Sequence, residues 1–313
     1  MSVPRPHRSS GHSLSAVTER PSLARIAAGY LELTKPRIVL LILMTGVPAL
    51  LMAAGGWPEA RIFWGALLGT GLAAASGSAF NHYVDRDIDG LMRRTARRPL
   101  PTGTLTPPQA LTFAFVLAGL SWVVLVTWTS LLAAAIALMS IFYYAVVYSV
   151  WLKRRTPQNI VIGGGAGASA PLISWAAVTG GIGLPAIALA AIVFFWTPPH
   201  FWALSLYRRD DYQRAGLPML PVTHGEDETR RQILFYSFAL PLLTGILVPL
   251  GAASLYFGAA ATALGLCFVF FALRLRSSAS TAHAVSLFRF SILYLFLIFA
   301  LLTLDAVART GRT

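Results

Sequence analysis

Three oxygen-bearing side chains, Asn81, Asp85 and Asp89, follow one another at intervals of four residues. On a helix this spacing places all three on one face. Two carboxylates on one face repel each other unless a cation offsets their charge. Mg²⁺ favours such oxygen ligands and completes its shell with water and substrate phosphate. The spacing therefore predicts a magnesium site that acts on a phosphate-bearing substrate, with the out-of-phase Asp87 as a surface or supporting group.

A second acidic pair, Asp210 and Asp211, occurs much later in the chain, after a long apolar segment. Together with the first group it is expected to form two acidic walls, with a diphosphate bridged by Mg²⁺ between them. The acidic run of residues 226–228 lies in a polar stretch and is interpreted as a solvated surface instead.

Basic residues accompany both acidic groups. Arg94 and Arg98 lie four residues apart in the segment LMRRTARRPLPTG, so that on a helix their guanidinium groups project together and can grip phosphate oxygens. Lys153 and Arg154 supply a second cationic group after another apolar segment. Ordinary cytoplasmic loop charge is the alternative explanation for these residues. Together with the acidic residues, these basic residues predict an enzyme that ionises an allylic diphosphate. Metal ions and cationic side chains stabilise the negative charge that develops on the leaving diphosphate.

Helices within a membrane must position these clusters. The 313 residues are 56% hydrophobic and only 12% charged, with a mean hydropathy of +0.65, which leaves too little polar surface for a soluble globule. A spanning helix needs about 20 mostly apolar residues. The predicted fold class is therefore an all-α bundle of nine transmembrane helices in a lipid bilayer. The nine apolar segments are 37–55, 61–83, 108–128, 130–150, 159–178, 184–206, 232–252, 254–274 and 285–306.

The net charge of +13 follows the membrane topology and does not indicate a nucleic-acid partner. Lys and Arg cluster before the first span and after the second, fourth and sixth spans. The opposite side receives only Arg61, Arg309 and Arg312. The positive-inside rule places the N-terminus and the acidic clusters in the cytoplasm and the C-terminus outside. Lys35 and Arg37, at the mouth of the first span, are interpreted as interfacial anchors.

The first part of the chain, residues 1–33, is basic and Ser-rich but contains no long apolar segment, which argues against a cleaved secretory signal. It is predicted to be a disordered cytoplasmic tail, followed by one transmembrane domain over residues 34–313. A mitochondrial targeting sequence is the alternative. The short tail favours the bacterial plasma (inner) membrane.

Several motifs resemble a known family. The run NHYVDRDIDGLMRRTARRPLPTG resembles the first aspartate-rich signature of the UbiA-type intramembrane prenyltransferases. Within that superfamily, the chain is similar to the protoheme IX farnesyltransferase family from about Thr34 to Leu304. The segments that carry this similarity are RTARRPLPTG, YSVWLKRRTPQNIVIGGGAGA, WTPPHFWALSLYRRDDYQRAGLPMLPV and SLFRFSILYL. The acidic signature is shared across the superfamily, whereas WTPPHFW followed by a DDY segment is specific.

The resemblance implies that the chain transfers the farnesyl group of farnesyl diphosphate to protoheme IX and yields heme O, with Mg²⁺ as the cofactor. A heme-modifying oxidase that acts downstream is an expected partner. The metal and diphosphate ligands that the resemblance implies are Asn81, Asp85, Asp89 and Asp211. The implied diphosphate donors are Arg94, Arg98 and Lys153, with Arg154 as a further candidate. The second acidic motif departs from the superfamily's widely spaced aspartates, so Asp210 receives no role.

His200 lies within the sixth predicted span, where an ionisable side chain is uncommon and often functional. It is the candidate heme-binding residue, and a structural role, in which a neighbouring helix satisfies the imidazole, is the alternative. Pro198 and Pro199 interrupt the span and free backbone carbonyls, which a membrane tolerates only against protein or a cavity. The run WTPPHFW therefore predicts a pocket.

Three other functions compete with heme prenylation. A prenyltransferase for a quinone precursor or chlorophyllide shares the first motif but not WTPPHFW. The CDP-alcohol phosphotransferases also use Asp-rich motifs in membranes, but their expected acidic pattern, in which Asp-Gly and Ala-Arg precede the aspartates, is missing here. A carrier or transporter is expected to place charges near the bilayer midplane. Here the acids lie at the ends of spans, which favours catalysis at the membrane interface.

Overall fold

The computed structural model of the protein describes residues 22–278 and 280–310, and this part of the chain is helical throughout, without a strand. Most of the predicted tail, residues 1–21, lies outside the described residues. The helices are α1 (Leu23–Thr34), α2 (Pro36–Ala54), α3 (Ala60–Val84), α4 (Arg86–Asp89), α5 (Pro107–Trp128), α6 (Leu131–Phe142), a π-helix (Tyr143–Leu152), α7 (Asn159–Gly167), α8 (Ser169–Thr179), α9 (Leu184–Tyr207), α10 (Arg209–Arg214), α11 (Leu220–Thr223), α12 (Gly225–Gly245), α13 (Leu255–Ser277) and α14 (Thr281–Thr310).

The predicted all-α membrane bundle is confirmed. Eight segments of the described chain are long and apolar enough to cross a bilayer. The remaining predicted span is the seventh in order, 232–252. It overlaps α12, which begins seven residues earlier in a charged segment. Acidic side chains in its first turn favour the positive end of the helix, and Arg230 pairs with Glu226 at 2.5 Å and with Asp227 at 2.9 Å. The chain is therefore a multi-pass membrane protein whose α12 extends beyond its apolar part.

The first span is broken at its entrance. Residues 23–34 form α1 rather than an irregular tail, because the Ser22 hydroxyl caps the helix by accepting a hydrogen bond from the Arg25 amide. Lys35 separates α1 from α2 in a left-handed conformation, with φ of 49°, and no other non-glycine residue of the described chain has positive φ. Pro36 then begins α2, where its fixed φ suits the first helical position. This turn decides where the Lys35 side chain points.

The fourth span changes its helical period halfway. Residues 131–142 are α-helical, whereas residues 143–152 are π-helical. The wider hydrogen bonding continues to the end of the segment, since the Lys153 amide donates to the Tyr148 carbonyl at 2.9 Å. π-helical turns occur often at functional sites. Here the turn sets the positions of Tyr144, Ser149 and Lys153 relative to one another.

Small residues and hydroxyl groups join the helices. The Ser76 hydroxyl of α3 donates to the Ala114 carbonyl of α5 at 2.8 Å, and the Ser121 hydroxyl of α5 donates to the Gly69 carbonyl at 2.7 Å. Such contacts replace the hydrophobic effect, which does not drive helices together in lipid. The most buried spanning segment is α9, which packs against α7, α8, α12 and α14. The bundle thus holds the run WTPPHFW at its centre.

The contact between α12 and α13 depends on Gly265. A Cβ added at this position would lie 2.9 Å from the Pro241 Cα, so the Gly265→Ala substitution forces two backbones apart. We expect it to destabilise the bundle by about 1–3 kcal/mol. Gly119 of α5 is the matched control, because nothing lies within 4 Å of its Cβ position, and Ala there should stabilise the helix by about 0.5–1 kcal/mol. Thermal unfolding midpoints in detergent compare the two, and equal midpoints would contradict the prediction.

Candidate active site

A cavity of about 590 Å³ opens between α2, α3, the π-helix, α7 and α9. One end is polar and strongly charged. Its side chains are Lys35, Asn81, Asp85, Asp89, Arg94, Arg98 and Lys153. The rest of the wall is mainly apolar and includes Ile42, Ile141, Ile173, Val193, Trp196 and Leu295. The cavity can therefore hold a molecule with an anionic head and a long apolar body.

The first acidic motif lies at the polar end, where α3 ends. The Asp85 amide donates to the Asn81 carbonyl at 2.9 Å, and the Asp89 amide donates to the Asp85 carbonyl at 2.8 Å. Helical spacing is thus kept across the break between α3 and α4. The three side chains are at most 4% exposed. The structure brings together the residues that the four-residue spacing selected.

Each of these three residues has a cationic partner. The Lys153 ammonium donates to Asp85 Oδ2, and Arg98 Nη1 donates to both Asp89 carboxylate oxygens at 2.9 and 2.7 Å. The Lys35 ammonium donates to Asn81 Oδ1 at 2.9 Å. Buried carboxylates require such partners. The predicted donors Arg98 and Lys153 therefore meet the predicted acids directly.

The amide group of Asn81 is oriented by its neighbours. Its Nδ2 donates to Asp85 Oδ2 at 2.6 Å and faces the Ser149 hydroxyl at 3.3 Å. Its Oδ1 accepts from Lys35, as described above. An amide whose nitrogen is fixed in this way presents its oxygen to the cationic side of the cavity.

Arg94 reaches the same cavity from the segment after α4, where the chain forms turns and not a helix. It lies near Tyr212 of α10, which also lines the cavity. Burial raises the pKa of Tyr212, and the Arg94 guanidinium opposes part of that rise. The phenol is therefore neutral near pH 7, and its hydroxyl can donate a hydrogen bond to an anion.

Two predicted residues do not line the cavity. Arg154 donates to both carboxylate oxygens of Asp87 at 2.7 Å, and this exposed pair lowers the pKa of Asp87. Asp211 is buried, but it pairs with Arg214 of its own helix and lies 3.9 Å from Arg208 Nη1. Arg154 and Asp211 are thus engaged with other partners. The residues next to them, Lys153 and Tyr212, line the cavity instead.

The polar end fits a divalent cation. Asp85 Oδ1 is buried and has no hydrogen-bond partner in the described part of the chain, although a buried carboxylate oxygen normally has one. No cluster of three or more His, Cys, Asp or Glu side chains suited to a metal occurs among residues 22–278 and 280–310. Mg²⁺ does not need one, since it commonly takes one or two carboxylates and uses water and substrate phosphate for the rest. Asp85, Asp89 and the Asn81 amide match that donor set.

Sequence reasoning missed three residues of this cavity. Lys35 was interpreted as an interfacial anchor, but the left-handed turn directs its ammonium to Asn81. Tyr144 and Tyr148 line the cavity with their rings stacked, at a centroid distance of 5.3 Å. Gly163 of α7 makes room for them, since a Cβ there would clash with the Tyr148 ring. The glycine-rich run after the fourth span was the available signal.

His200 lies in the apolar part of the same cavity. Its Nδ1 is hydrogen-bonded to the Ser291 hydroxyl of α14 at 2.7 Å. Pro198 and Pro199 were expected to interrupt the span, but α9 continues past them to Tyr207. The pocket that the run WTPPHFW predicted is nevertheless present.

The fold and the site together define a class. A membrane-embedded helical bundle with acids and cations at one end of an apolar cavity suits an enzyme that acts on an amphipathic diphosphate. The chain belongs to the UbiA prenyltransferase family, whose family model matches residues 41–301. It is therefore a prenyltransferase, which is a transferase.

Known proteins resemble this chain in sequence and in fold. It is 47% identical over 302 residues to a protoheme IX farnesyltransferase from Acidiphilium cryptum, covering 93% of this chain and 94% of that protein. A solved structure of digeranylgeranylglyceryl phosphate synthase has a TM-score of 0.76 at 17% identity and covers 90% of this chain and 99% of its own. A UbiA homolog from Archaeoglobus fulgidus, bound to DMAPP and Mg²⁺, has a TM-score of 0.66 at 19% identity, with coverage of 91% and 99%. The two structures support the fold.

Proposed function

We propose that this enzyme transfers the farnesyl group of farnesyl diphosphate to a vinyl carbon of protoheme IX and forms heme O. The observation that carries the proposal is one cavity with a cationic, carboxylate-lined end and an apolar body. The similarity to a protoheme IX farnesyltransferase over almost the whole chain supports the choice of substrates.

The carboxylate end is the proposed metal site. Asp85 Oδ1, Asp89 and Asn81 Oδ1 would hold Mg²⁺, the ion present in the homolog from Archaeoglobus fulgidus. Mg²⁺, when bound, offsets the negative charge that develops on the leaving diphosphate. Asp89 and Asp85 pair with Arg98 and Lys153. These two cationic side chains would therefore lie beside a diphosphate that is bound to the metal.

The basic residues are the proposed diphosphate donors. Arg98 pairs with Asp89, and Lys153 pairs with Asp85. Lys35 donates a hydrogen bond to Asn81, and Arg94 lines the cavity from the turns after α4. Donors held in place before the reaction stabilise a developing charge without reorganisation. The allylic carbon–oxygen bond breaks, and its electron pair leaves with the diphosphate that these residues hold.

The apolar body of the cavity protects the allylic cation. The side chains around it exclude water, which would otherwise capture the cation too early. The stacked rings of Tyr144 and Tyr148 lie beside the charged end, where their faces can stabilise positive charge. A vinyl carbon of the heme then forms the new carbon–carbon bond. Water adds to the resulting cation and releases one proton, which gives the hydroxyethylfarnesyl substituent.

We propose that the charged end faces the cytoplasm of a bacterium. Arg93 follows α4 at this end, and Glu59 precedes α3 at the opposite end, and both are exposed. In a Cys267→Ser background, which removes the single cysteine, an impermeant maleimide added to intact cells should label Glu59→Cys. Arg93→Cys should react only after the membrane is opened. Labelling of Arg93→Cys in intact cells would reverse the proposed orientation.

The decisive experiment incubates the detergent-purified enzyme with protoheme IX, farnesyl diphosphate and Mg²⁺, and analyses the extracted hemes by mass spectrometry. We expect a farnesylated and hydrated heme that disappears when EDTA removes the metal. A parallel reaction offers a quinone precursor as acceptor. Prenylation of that acceptor without any heme product would overturn the proposal while leaving the prenyltransferase assignment intact.

A further inference from the structure

The ring of His200 is held rigidly in the apolar part of the cavity. Trp196 stacks on it at a centroid distance of 4.3 Å and an interplanar angle of 18°, and Phe288 stacks on it at 4.7 Å and 23°. Two nearly parallel rings at these distances must lie on opposite faces of the imidazole. The Trp196 indole N–H also donates to the Ser291 carbonyl at 2.8 Å, which ties α9 to α14. The imidazole plane therefore has little freedom to rotate.

The hydrogen bonds around Ser291 determine which ring nitrogen carries the proton. The Ser291 hydroxyl donates to the Phe288 carbonyl at 2.7 Å, which uses its only hydrogen. The same oxygen lies 2.7 Å from His200 Nδ1. With its hydrogen directed to the Phe288 carbonyl, we assign it as the acceptor of a hydrogen bond from Nδ1–H. In a neutral imidazole the other nitrogen, Nε2, then carries a lone pair. No described side chain or carbonyl hydrogen-bonds this nitrogen.

A lone pair fixed in this way suits a metal and not a phosphate. An unprotonated Nε2 cannot donate to an anion, and the diphosphate donors are grouped at the other end of the cavity. Histidines that ligate metals usually donate their second ring N–H to a neighbouring oxygen, which fixes the tautomer and the ring orientation. The Ser291 hydroxyl plays that part here.

Resting on the proposed heme substrate, we infer that His200 Nε2 binds the iron of protoheme IX as an axial ligand and so anchors the acceptor in the cavity. Ser291 is the positioning residue, which acts through His200. Ligation of the iron would hold the porphyrin in the apolar part of the cavity, within reach of the allylic carbon of the diphosphate. The heme then depends on its iron for binding, although the iron takes no part in the new carbon–carbon bond.

The other histidine of the cavity provides a matched comparison. His82 is 1% exposed, and neither of its ring nitrogens has a hydrogen-bond partner among the described residues. It lies on α3 next to Asn81, close to the cations of the charged end. Nothing fixes its tautomer, so the structure favours His200 as the iron ligand. His82→Gln therefore tests whether any loss of ligation is specific to His200.

The experiment titrates ferric protoheme into purified wild-type, His200→Gly, Ser291→Ala and His82→Gln proteins and records the Soret band and the EPR spectrum. His200→Gly should lose the signature of nitrogen ligation and lower heme affinity by at least tenfold, and added imidazole should restore the signature. Ser291→Ala should lower the affinity by about tenfold and broaden the iron signal. Size-exclusion profiles and farnesyl diphosphate binding report whether each variant is folded.

Two outcomes would overturn the inference. One is an unchanged spectrum in folded His200→Gly, and the other is a loss of nitrogen ligation in His82→Gln alone. Product analysis of the wild-type protein is recorded in the same series. If the wild-type protein farnesylates heme while His200→Gly keeps its spectrum, the iron ligand is wrong and the proposed function stands. If heme binds through His200 but is never farnesylated, the ligand is right and the proposed function is wrong.

Discussion

Replacing Asp85 with Asn should reduce the turnover of farnesyl diphosphate by about 100- to 1,000-fold, which is the typical loss when one electrostatic group of a preorganised site is removed. Asp85 is fully buried, and its Oδ1 is the unpaired oxygen offered to the metal. An amide of the same shape has no negative charge to hold Mg²⁺. It can still accept a hydrogen bond from Lys153, which limits the damage to folding.

The measurement is the initial rate of product formation at saturating substrates over a range of Mg²⁺ concentrations. Asp87→Asn is the control, because it removes a carboxylate two residues away whose side chain is 59% exposed and paired with Arg154. That pair contributes at most about 1 kcal/mol to stability, and its loss should change the rate less than twofold. A rate for Asp85→Asn within threefold of wild type would remove Asp85 from the metal site.

Replacing Lys35 with Asn should reduce turnover by about 10- to 100-fold and raise the KM for farnesyl diphosphate. A hydrogen bond to a charged group is worth about 1.5–3 kcal/mol, and each 1.4 kcal/mol corresponds to a factor of ten. Asn tolerates the left-handed backbone of this position, so the turn between α1 and α2 should survive. The variant therefore removes the ammonium without removing the turn.

Arg37→Ala is the control for Lys35, since Arg37 is exposed in the first turn of α2 and does not line the cavity. It should keep the wild-type rate. The unfolding midpoints of both variants should lie within a few degrees of the wild-type value. If Lys35→Asn and Arg37→Ala have the same rate, Lys35 is only an interfacial anchor, as its place in the sequence first suggested.

Local patterns were enough to predict that the side chains of the first acidic motif lie together. Asn81, Asp85 and Asp89 depend only on helical spacing within one segment, and the structure keeps that spacing through the end of α3. The spans could also be predicted, because length and hydropathy are local properties. The start of α12 could not, since its first turns are charged and are stabilised by ion pairs that a hydropathy profile does not detect.

The remaining site residues depend on rotations that composition does not encode. Lys153 and Arg154 are neighbours in sequence, but only the phase of the π-helix determines that Lys153 meets Asp85 and Arg154 meets Asp87. Lys35 enters the site through a single left-handed residue. Asp211 was expected in the cavity, yet its neighbour Tyr212 lines the wall. In each case, the backbone conformation at a helix end determines which side chain points into the cavity.

The π-helix also limits how this sequence can change in length. Bonds that span five residues accommodate one residue more than an α-helical turn, and Ser149 Oγ and the Lys153 amide both bond back to carbonyls five residues earlier. Deleting one residue between 145 and 147 would let the span return to α-helical winding. The segment after the deletion would keep its direction, because the wide turn had absorbed the deleted residue. An insertion that is not absorbed would instead rotate this segment by about 100°, which is one residue's share of a turn. Insertions that surface loops absorb freely are thus excluded from this stretch, because a further residue would turn Lys153 away from Asp85.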